Sequence, residues 1–116
     1  MSSQGSTDQK TGTVVFNHGH GGHPYGAKYQ HLSPIAVALG FQVESIDYRD
    51  IEEPEARVEK LLASAHEQWP RPLVLVGSSV GGYVAAKASE KLRPCGLFLV
   101  APAVHKVPTI VADKIV

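Results

Sequence analysis

The chain is built around one segment, Val74-Leu75-Val76-Gly77-Ser78-Ser79-Val80-Gly81-Gly82-Tyr83. A short apolar run, Leu73 to Val76, leads into the spacing Gly77-x-Ser79-x-Gly81, and small residues at helical spacing follow. This pattern predicts a buried strand, a tight turn with Ser79 at its apex, and a helix that begins near Val80. It is typical of a nucleophile elbow.

The two glycines of this segment have a physical reason. A serine turned sharply out of a strand is held in strained backbone geometry, and side chains two residues to either side of it would clash. The first turn of the following helix directs its free N–H groups toward whatever lies beside Ser79 Oγ. The alternative is an ordinary glycine-rich turn of an α/β protein, in which Ser79 only caps the helix.

Length and composition limit the class of protein. The chain has 116 residues, 43% hydrophobic and 19% charged, which indicates one globular domain. Lys+Arg and Asp+Glu number 11 each, so charge gives no support for a nucleic-acid or anionic-membrane partner. The single cysteine, Cys95, cannot form an internal disulfide, and no apolar stretch reaches the ~20 residues of a membrane span. We therefore expect a soluble, cytoplasmic protein.

The order of elements predicts an α/β fold. Residues 1–12 are polar and are expected to form a disordered tail, and residues 13–116 form a single domain. The predicted strands are Thr13–Asn17, Phe41–Tyr48, Leu73–Val76 and Gly96–Ala101, and the predicted helices are Lys28–Leu39, a helix from Glu53-Pro54, and Val80–Leu92. Ser33-Pro34 is interpreted as a restart within the first helix. The alternation gives a three-layer α/β/α structure with a mostly parallel sheet of about four strands.

A second motif points to a protein family. His18-Gly19-His20-Gly21-Gly22 directly follows the first strand. Together with the segment around Ser79, this loop resembles the N-terminal part of the α/β-hydrolase superfamily, the serine esterases and lipases, over roughly Thr13 to Ala103. The resemblance implies an incomplete α/β-hydrolase fold with a small-molecule ester or thioester substrate, cleaved through an acyl-serine intermediate without cofactor or metal. It implies Ser79 as nucleophile and the backbone N–H groups of His20 and Val80 as oxyanion donors.

The sequence departs from the family in its catalytic acid and base. In the family these two residues follow Ser in the order acid, then His, after later strands. Here His105 is the only histidine after Ser79, and the only acids after it are Glu90 and Asp113. We therefore expect an incomplete or very minimal member, weakly active or inactive as given. His105 is the candidate base, with a solvated loop histidine as the alternative.

Other residues and patterns in the sequence are compatible with different sites. Asp47 ends the second strand at the same sheet edge, as a candidate acid or as a simple loop or cap residue. A dinucleotide-binding loop is disfavoured because Pro24 stands where the third glycine belongs, and a P-loop because no Gly-Lys-Ser/Thr occurs. His18, His20 and His23 are a possible metal cluster, although the loop lacks soft or acidic ligands. A hydrolase-like module that binds a ligand or partner without catalysis is the alternative function.

The last predicted strand has a consequence for association. Cys95 to Ala101 is an uninterrupted apolar run, which predicts a strand buried on both faces. No comparable strand follows, so residues 96–101 are expected to form an open edge through which the chain self-associates.

Overall fold

A computed structural model describes residues 10–65 and 69–100, and the backbone of residues 114–115. The strands are β1 (Thr13–Asn17), β2 (Gln42–Ile46), β3 (Leu73–Ser78), β4 (Gly96–Val100) and β5 (Lys114–Ile115). The helices are α1 (Ala27–Ala38), α2 (Pro54–Ser64) and α3 (Val80–Leu92). The sheet order is β2-β1-β3-β4-β5, and every pairing is parallel. The predicted fold class is confirmed, with one additional two-residue strand at the edge.

The sheet lies between two helical layers. One core cluster joins the sheet to α2 and α3 and contains Val15, Leu61, Leu75, Val84 and Leu97. A smaller cluster on the other face joins it to α1. All five residues of β1 are buried because the strand is covered on both faces, as its β-branched, non-alternating sequence predicts. The partly buried strand β2 lies at one edge of the sheet, and its first residues alternate apolar and polar side chains.

Helix α1 departs from the prediction at its centre. The predicted restart at Ser33-Pro34 is wrong, because the helix runs without a break from Ala27 to Ala38 with Pro34 inside it. A proline lacks the N–H for its turn, so tertiary packing has to stabilise the helix there. Leu32 and Ala36, on either side of Pro34, both pack into the small core cluster. The helix ends at Ala38, and Gly40, two residues further on, has the positive φ of 92° that favours glycine after a helix.

The folded part of the chain begins earlier than the predicted tail boundary. Thr11 N–H donates to the Gly40 carbonyl at 2.8 Å, and Gln42 N–H donates to the Gly12 carbonyl at 2.8 Å. Thr11 and Gly12 are therefore held against the turn between α1 and β2. The remainder of the predicted tail, residues 1–9, lies outside the described residues.

Strand β4 does not match the prediction of a strand buried on both faces. Leu97 is buried against α3, but Phe98 is 37% exposed and the other residues are only partly buried. The register places Phe98 beside Val76, but Phe98 is not part of the small cluster that Val76 shares with α1. The outer edge is also not fully open, because Gly96 and Leu97 pair with Lys114 and Ile115.

Candidate active site

Ser79 stands at the apex of the turn between β3 and α3. Its φ of 55° and ψ of −125° confirm the strained conformation that the sequence predicts. The Ser79 N–H donates to the Val100 carbonyl at 3.0 Å, and its carbonyl accepts from the Gly82 N–H at 2.9 Å. The side chain is exposed and makes no capping hydrogen bond to α3. The alternative role for Ser79, a simple helix cap, therefore has no support.

The glycines of the elbow (Gly77–Gly81) are required by close backbone contacts. A Cβ on Gly77 would overlap the Gly81 carbonyl and lie 2.8 Å from the Gly82 Cα. A Cβ on Gly81 would overlap the Asn17 carbonyl and lie 2.8 Å from the His18 oxygen. Real Cβ atoms are not found at such distances from backbone atoms, so the predicted need for glycine at both positions is confirmed.

The loop His18–Gly22, which we call the oxyanion loop, packs directly against the elbow. A Cβ on Gly19 would lie 3.0 Å from both the Ser78 oxygen and the Ser79 Cβ, and 3.6 Å from Ser79 Oγ. The loop folds back on itself through a 3.1 Å bond from the Gly22 N–H to the Gly19 carbonyl, and Gly21 has a φ of 72°. The two motifs that lie 60 residues apart in sequence therefore meet at Ser79.

Several backbone N–H groups at this junction have no acceptor among the described residues. They include those of Val80, the first residue of α3, and of His20 in the oxyanion loop. Both are the positions that the family resemblance implies as oxyanion donors. Unpaired N–H groups beside an exposed serine are chemically suited to bind a developing negative charge on a substrate oxygen.

The three loop histidines are held apart by separate interactions. The two ring nitrogens of His18 contact the Gly19 carbonyl and the Tyr48 N–H, at 2.8 and 2.9 Å. His20 Nε2 lies 2.9 Å from the Glu52 carbonyl, and His23 Nδ1 accepts from the Tyr25 N–H at 3.0 Å. Within the described part of the chain, no three His, Cys, Asp or Glu side chains are grouped closely enough to hold a metal ion.

The two candidate acids that lie within the described residues do not hydrogen-bond to Ser79. Asp47 forms a two-pronged ion pair with Arg49, with bonds of 2.9 and 2.6 Å, and hydrogen bonds from Arg49 hold the pKa of Asp47 well below its usual range. Its Oδ1 lies 4.0 Å from His18 Nε2. Glu90 lies ten residues beyond Val80 on α3, about 15 Å along the helix axis from the elbow. His105 and Asp113 lie outside the described residues.

A buried network of polar side chains lies next to the site, and it was not predicted from the sequence. Asn17 Nδ2 donates to the Val76 carbonyl at 3.1 Å, and the Tyr48 hydroxyl donates to Asn17 Oδ1 at 2.5 Å. Burial raises the pKa of Tyr48. Arg57, on α2, donates to three backbone carbonyls around the same point. The sequence signal for this network is Asn17, a polar residue at the end of the apolar strand β1. Arg57 gives no such signal, because arginines on amphipathic helices are usually solvated.

The start of α2 is connected to the elbow helix. The Tyr83 hydroxyl, in the first turn of α3, donates to a carboxylate oxygen of Glu55, and this hydrogen bond raises the pKa of Tyr83. The ring of Tyr83 is buried in the larger core cluster. The N-terminal turns of α2 and α3 are therefore joined close to Ser79.

A cavity of about 170 Å³ opens beside the elbow on the α1 side of the sheet. Its floor is apolar, with Phe16 and Val76, and Tyr29 packs edge-on against Phe16 at a ring-centroid distance of 5.3 Å. Gly19 and Ser78 line the end nearest to the nucleophile, although Ser79 itself is not part of the lining. A cavity of about 150 Å³ holds a benzene ring, so this one has room for a small organic group.

The chain resembles a sequence family and solved structures. The sequence profile of the Uncharacterised protein family UPF0227 matches residues 13–115, nearly the whole described fold. The chain belongs to this family. A search of curated proteins gave no match.

Two solved structures share the fold of this UPF0227 member. A protein from Xanthomonas campestris pv. campestris, assigned as a hydrolase of the alpha/beta superfamily, is 27% identical with a TM-score of 0.73, and the match covers 90% of this chain and 66% of that one. The mouse alpha/beta hydrolase domain-containing protein 10 is 22% identical with a TM-score of 0.65, and the match covers 83% and 43%. The chain therefore has the α/β-hydrolase fold and spans less than two thirds of either structure's length.

Helices α1, α2 and α3 are 12, 11 and 13 residues long. None of those within residues 10–65 and 69–100 is both long enough and apolar enough to cross a membrane.

Proposed function

We propose that this chain carries the nucleophile and oxyanion loop of a serine hydrolase that cleaves a carboxylic ester or thioester. The observation that supports it best is the exposed, strained Ser79 beside two N–H groups that have no acceptor among the described residues. Strain of this kind persists only where the surrounding contacts impose it, and it is concentrated at functional sites.

The proposed reaction has two steps. Ser79 Oγ bonds to the substrate carbonyl carbon, its proton passes to a base, and the alcohol or thiol departs with a proton. Water then attacks the acyl-serine, which releases the carboxylic acid and returns Ser79 to its starting state. In both steps the N–H groups of Val80 and His20 hydrogen-bond to the carbonyl oxygen as it becomes negative. His105 is the candidate base of this chain.

The cavity beside the elbow is the proposed site for part of the substrate. Its apolar floor and its volume of about 170 Å³ suit a short acyl or small aromatic group. We therefore expect short-chain esters and thioesters to react in preference to long-chain ones.

A non-catalytic module is the second candidate. The observation that favours this candidate is that no described histidine or carboxylate hydrogen-bonds to Ser79 Oγ. A serine without a base is a weak nucleophile, so such a protein would bind an ester without cleaving it.

Labelling with a fluorophosphonate probe, followed by peptide mapping, separates the two candidates. A serine hydrolase is expected to be labelled at Ser79, with the label lost in Ser79→Ala and retained in Ser78→Ala. The adjacent serine is a matched control because Ser78 lies in β3 and not at the apex of the turn. Absence of labelling, or labelling at Ser78, contradicts the proposal.

A further inference from the structure

Arg57 is buried without an acidic partner. It is 2% exposed, and no carboxylate lies within ion-pair distance among the described residues. Its guanidinium donates to the carbonyls of Ile51, His18 and Tyr48 at 2.6, 3.0 and 3.2 Å, and it lies 5.2 Å from the centre of the Tyr48 ring. Burial lowers the pKa of Arg57. A buried cation is costly unless its donors are used, and here they join the loop after β1 to the turn 48–51 after β2.

His18 is held in a single neutral form by its two neighbours. A carbonyl can only accept and a backbone N–H can only donate, so Nδ1 carries the proton that bonds to Gly19 and Nε2 accepts from Tyr48. The side chain is only 8% exposed. The His18 carbonyl also accepts a hydrogen bond from Arg57, so both the side chain and the backbone of His18 are held in place.

The position of His18 determines where the oxyanion loop meets Ser79. Gly81 in the elbow packs against the carbonyls of Asn17 and His18, and Gly19 packs against Ser78 and Ser79. These contacts leave no room for a different spacing between loop and elbow. We infer that Arg57 and neutral His18 are positioning residues that hold the oxyanion loop against Ser79, and that protonation of His18 loosens this hold. The inference rests on the proposed function for its effect on catalysis.

Protonation of His18 conflicts with its surroundings. A proton on Nε2 would face the Tyr48 N–H, so the 2.9 Å bond would be lost. The charged groups that face the ring are Arg57 and Arg49, which oppose the added charge, and Asp47, which favours it. Burial is the main cause that lowers the pKa of His18 below its ordinary value of 6.5. The unfolded chain therefore binds the proton more readily, so the stabilisation is complete above about pH 6.5 and is lost as the pH falls below it.

Nuclear magnetic resonance of the 116-residue chain tests the positioning directly. We expect nitrogen shifts that assign His18 as the Nδ1–H form at pH 7, and a titration midpoint below its ordinary value of 6.5. The amide signals of Gly19, His20 and Gly21 are expected to shift with the same midpoint. The Nε2–H form, a midpoint at or above 6.5, or loop amides that do not follow His18 would overturn the inference.

Labelling rates across the pH range from 5 to 9 measure the effect on Ser79. His18→Asn removes the acceptor for Tyr48 and Arg57→Lys cannot reach three carbonyls at once, so each is expected to slow fluorophosphonate labelling about tenfold, or about 1.4 kcal/mol in the barrier. His18→Asn should also make the fall in rate below pH 6.5 smaller than in the natural chain. The controls are His31→Asn, on the exposed surface of α1, and Arg71→Lys, whose exposed guanidinium also donates to carbonyls but far from Ser79. Both are expected to change the rate less than twofold.

The two measurements separate this inference from the proposed function. If Ser79 is labelled and His18→Asn and Arg57→Lys behave like their controls, the positioning roles are wrong while the hydrolase proposal stands. If Ser79 is never labelled but the loop amides titrate with His18, the hydrolase proposal fails while His18 still positions the loop.

Discussion

The junction of oxyanion loop and elbow is packed much more tightly than strand β4 beside it. At the junction, a single added Cβ on Gly77 or Gly81 would overlap backbone oxygen atoms. At Gly96 in β4 the nearest atoms to an added Cβ are Val74 methyl groups at 3.7 Å, which is ordinary contact. The close backbone contacts at the junction maintain the strained conformation of Ser79. In the more loosely packed strand β4, Phe98 is left partly exposed. The four predictions that follow test this difference.

The largest effect is expected from Gly81→Ala. The new Cβ would overlap the Asn17 carbonyl, and neither backbone can move without disturbing β1 or α3. The free energy of unfolding should fall by about 3 kcal/mol or more, measured by urea denaturation. Gly96→Ala, the matched change in β4, should shift it by less than about 0.5 kcal/mol. Equal shifts would show that the two regions are equally adaptable.

The next effect concerns the labelling of Ser79. Gly19→Val adds a branched side chain where even a Cβ lies 3.0 Å from the Ser79 Cβ, so labelling should slow roughly 100-fold, as when an oxyanion donor is lost. His20→Ala should slow it less than about threefold, because only the backbone N–H of His20 is used. Large and equal losses would instead indicate a role for the His20 side chain.

A smaller effect, with opposite sign, is expected for Ser79→Gly. Glycine adopts positive φ without strain, so this variant should be more stable than the natural chain by about 1 kcal/mol, although it loses the nucleophile. Ser78→Gly, in the regular strand β3, should be less stable by about 0.5–1 kcal/mol. Thermal unfolding of both variants measures the difference, and destabilisation by both would argue against strain at Ser79.

The smallest change in stability is expected at Phe98. We propose that the chain self-associates through β4 and its exposed face, which light scattering at ~100 μM would detect. Phe98→Lys should reduce the association while it changes the free energy of unfolding by less than about 0.5 kcal/mol. Val37→Lys, at a more exposed apolar position on α1, is the control and should leave the association unchanged. A stable monomer in the natural chain would contradict the proposal.

The elements that were predicted correctly have local signals. Helix α3 has its predicted limits, Val80 and Leu92, because glycines and a strained turn mark its start and Pro94 follows its end. The buried strand β1 was recognised from its β-branched run. The elements that were misjudged depend on distant contacts. Pro34 remains helical because of packing on the sheet, and Phe98 is partly exposed because it lies outside the small cluster that joins α1 to the sheet.

The sequence by itself determined the α/β architecture, the two glycine motifs and the position of Ser79 between strand and helix, because each is written in spacings of a few residues. Only the tertiary structure decided which groups support the site. Arg57 and His18 act through side-chain hydrogen bonds to backbone atoms 9 to 39 residues away. A backbone carbonyl is the same acceptor in every residue, so a bond to it leaves no trace in the sequence, and its partner is found only once the chain has folded.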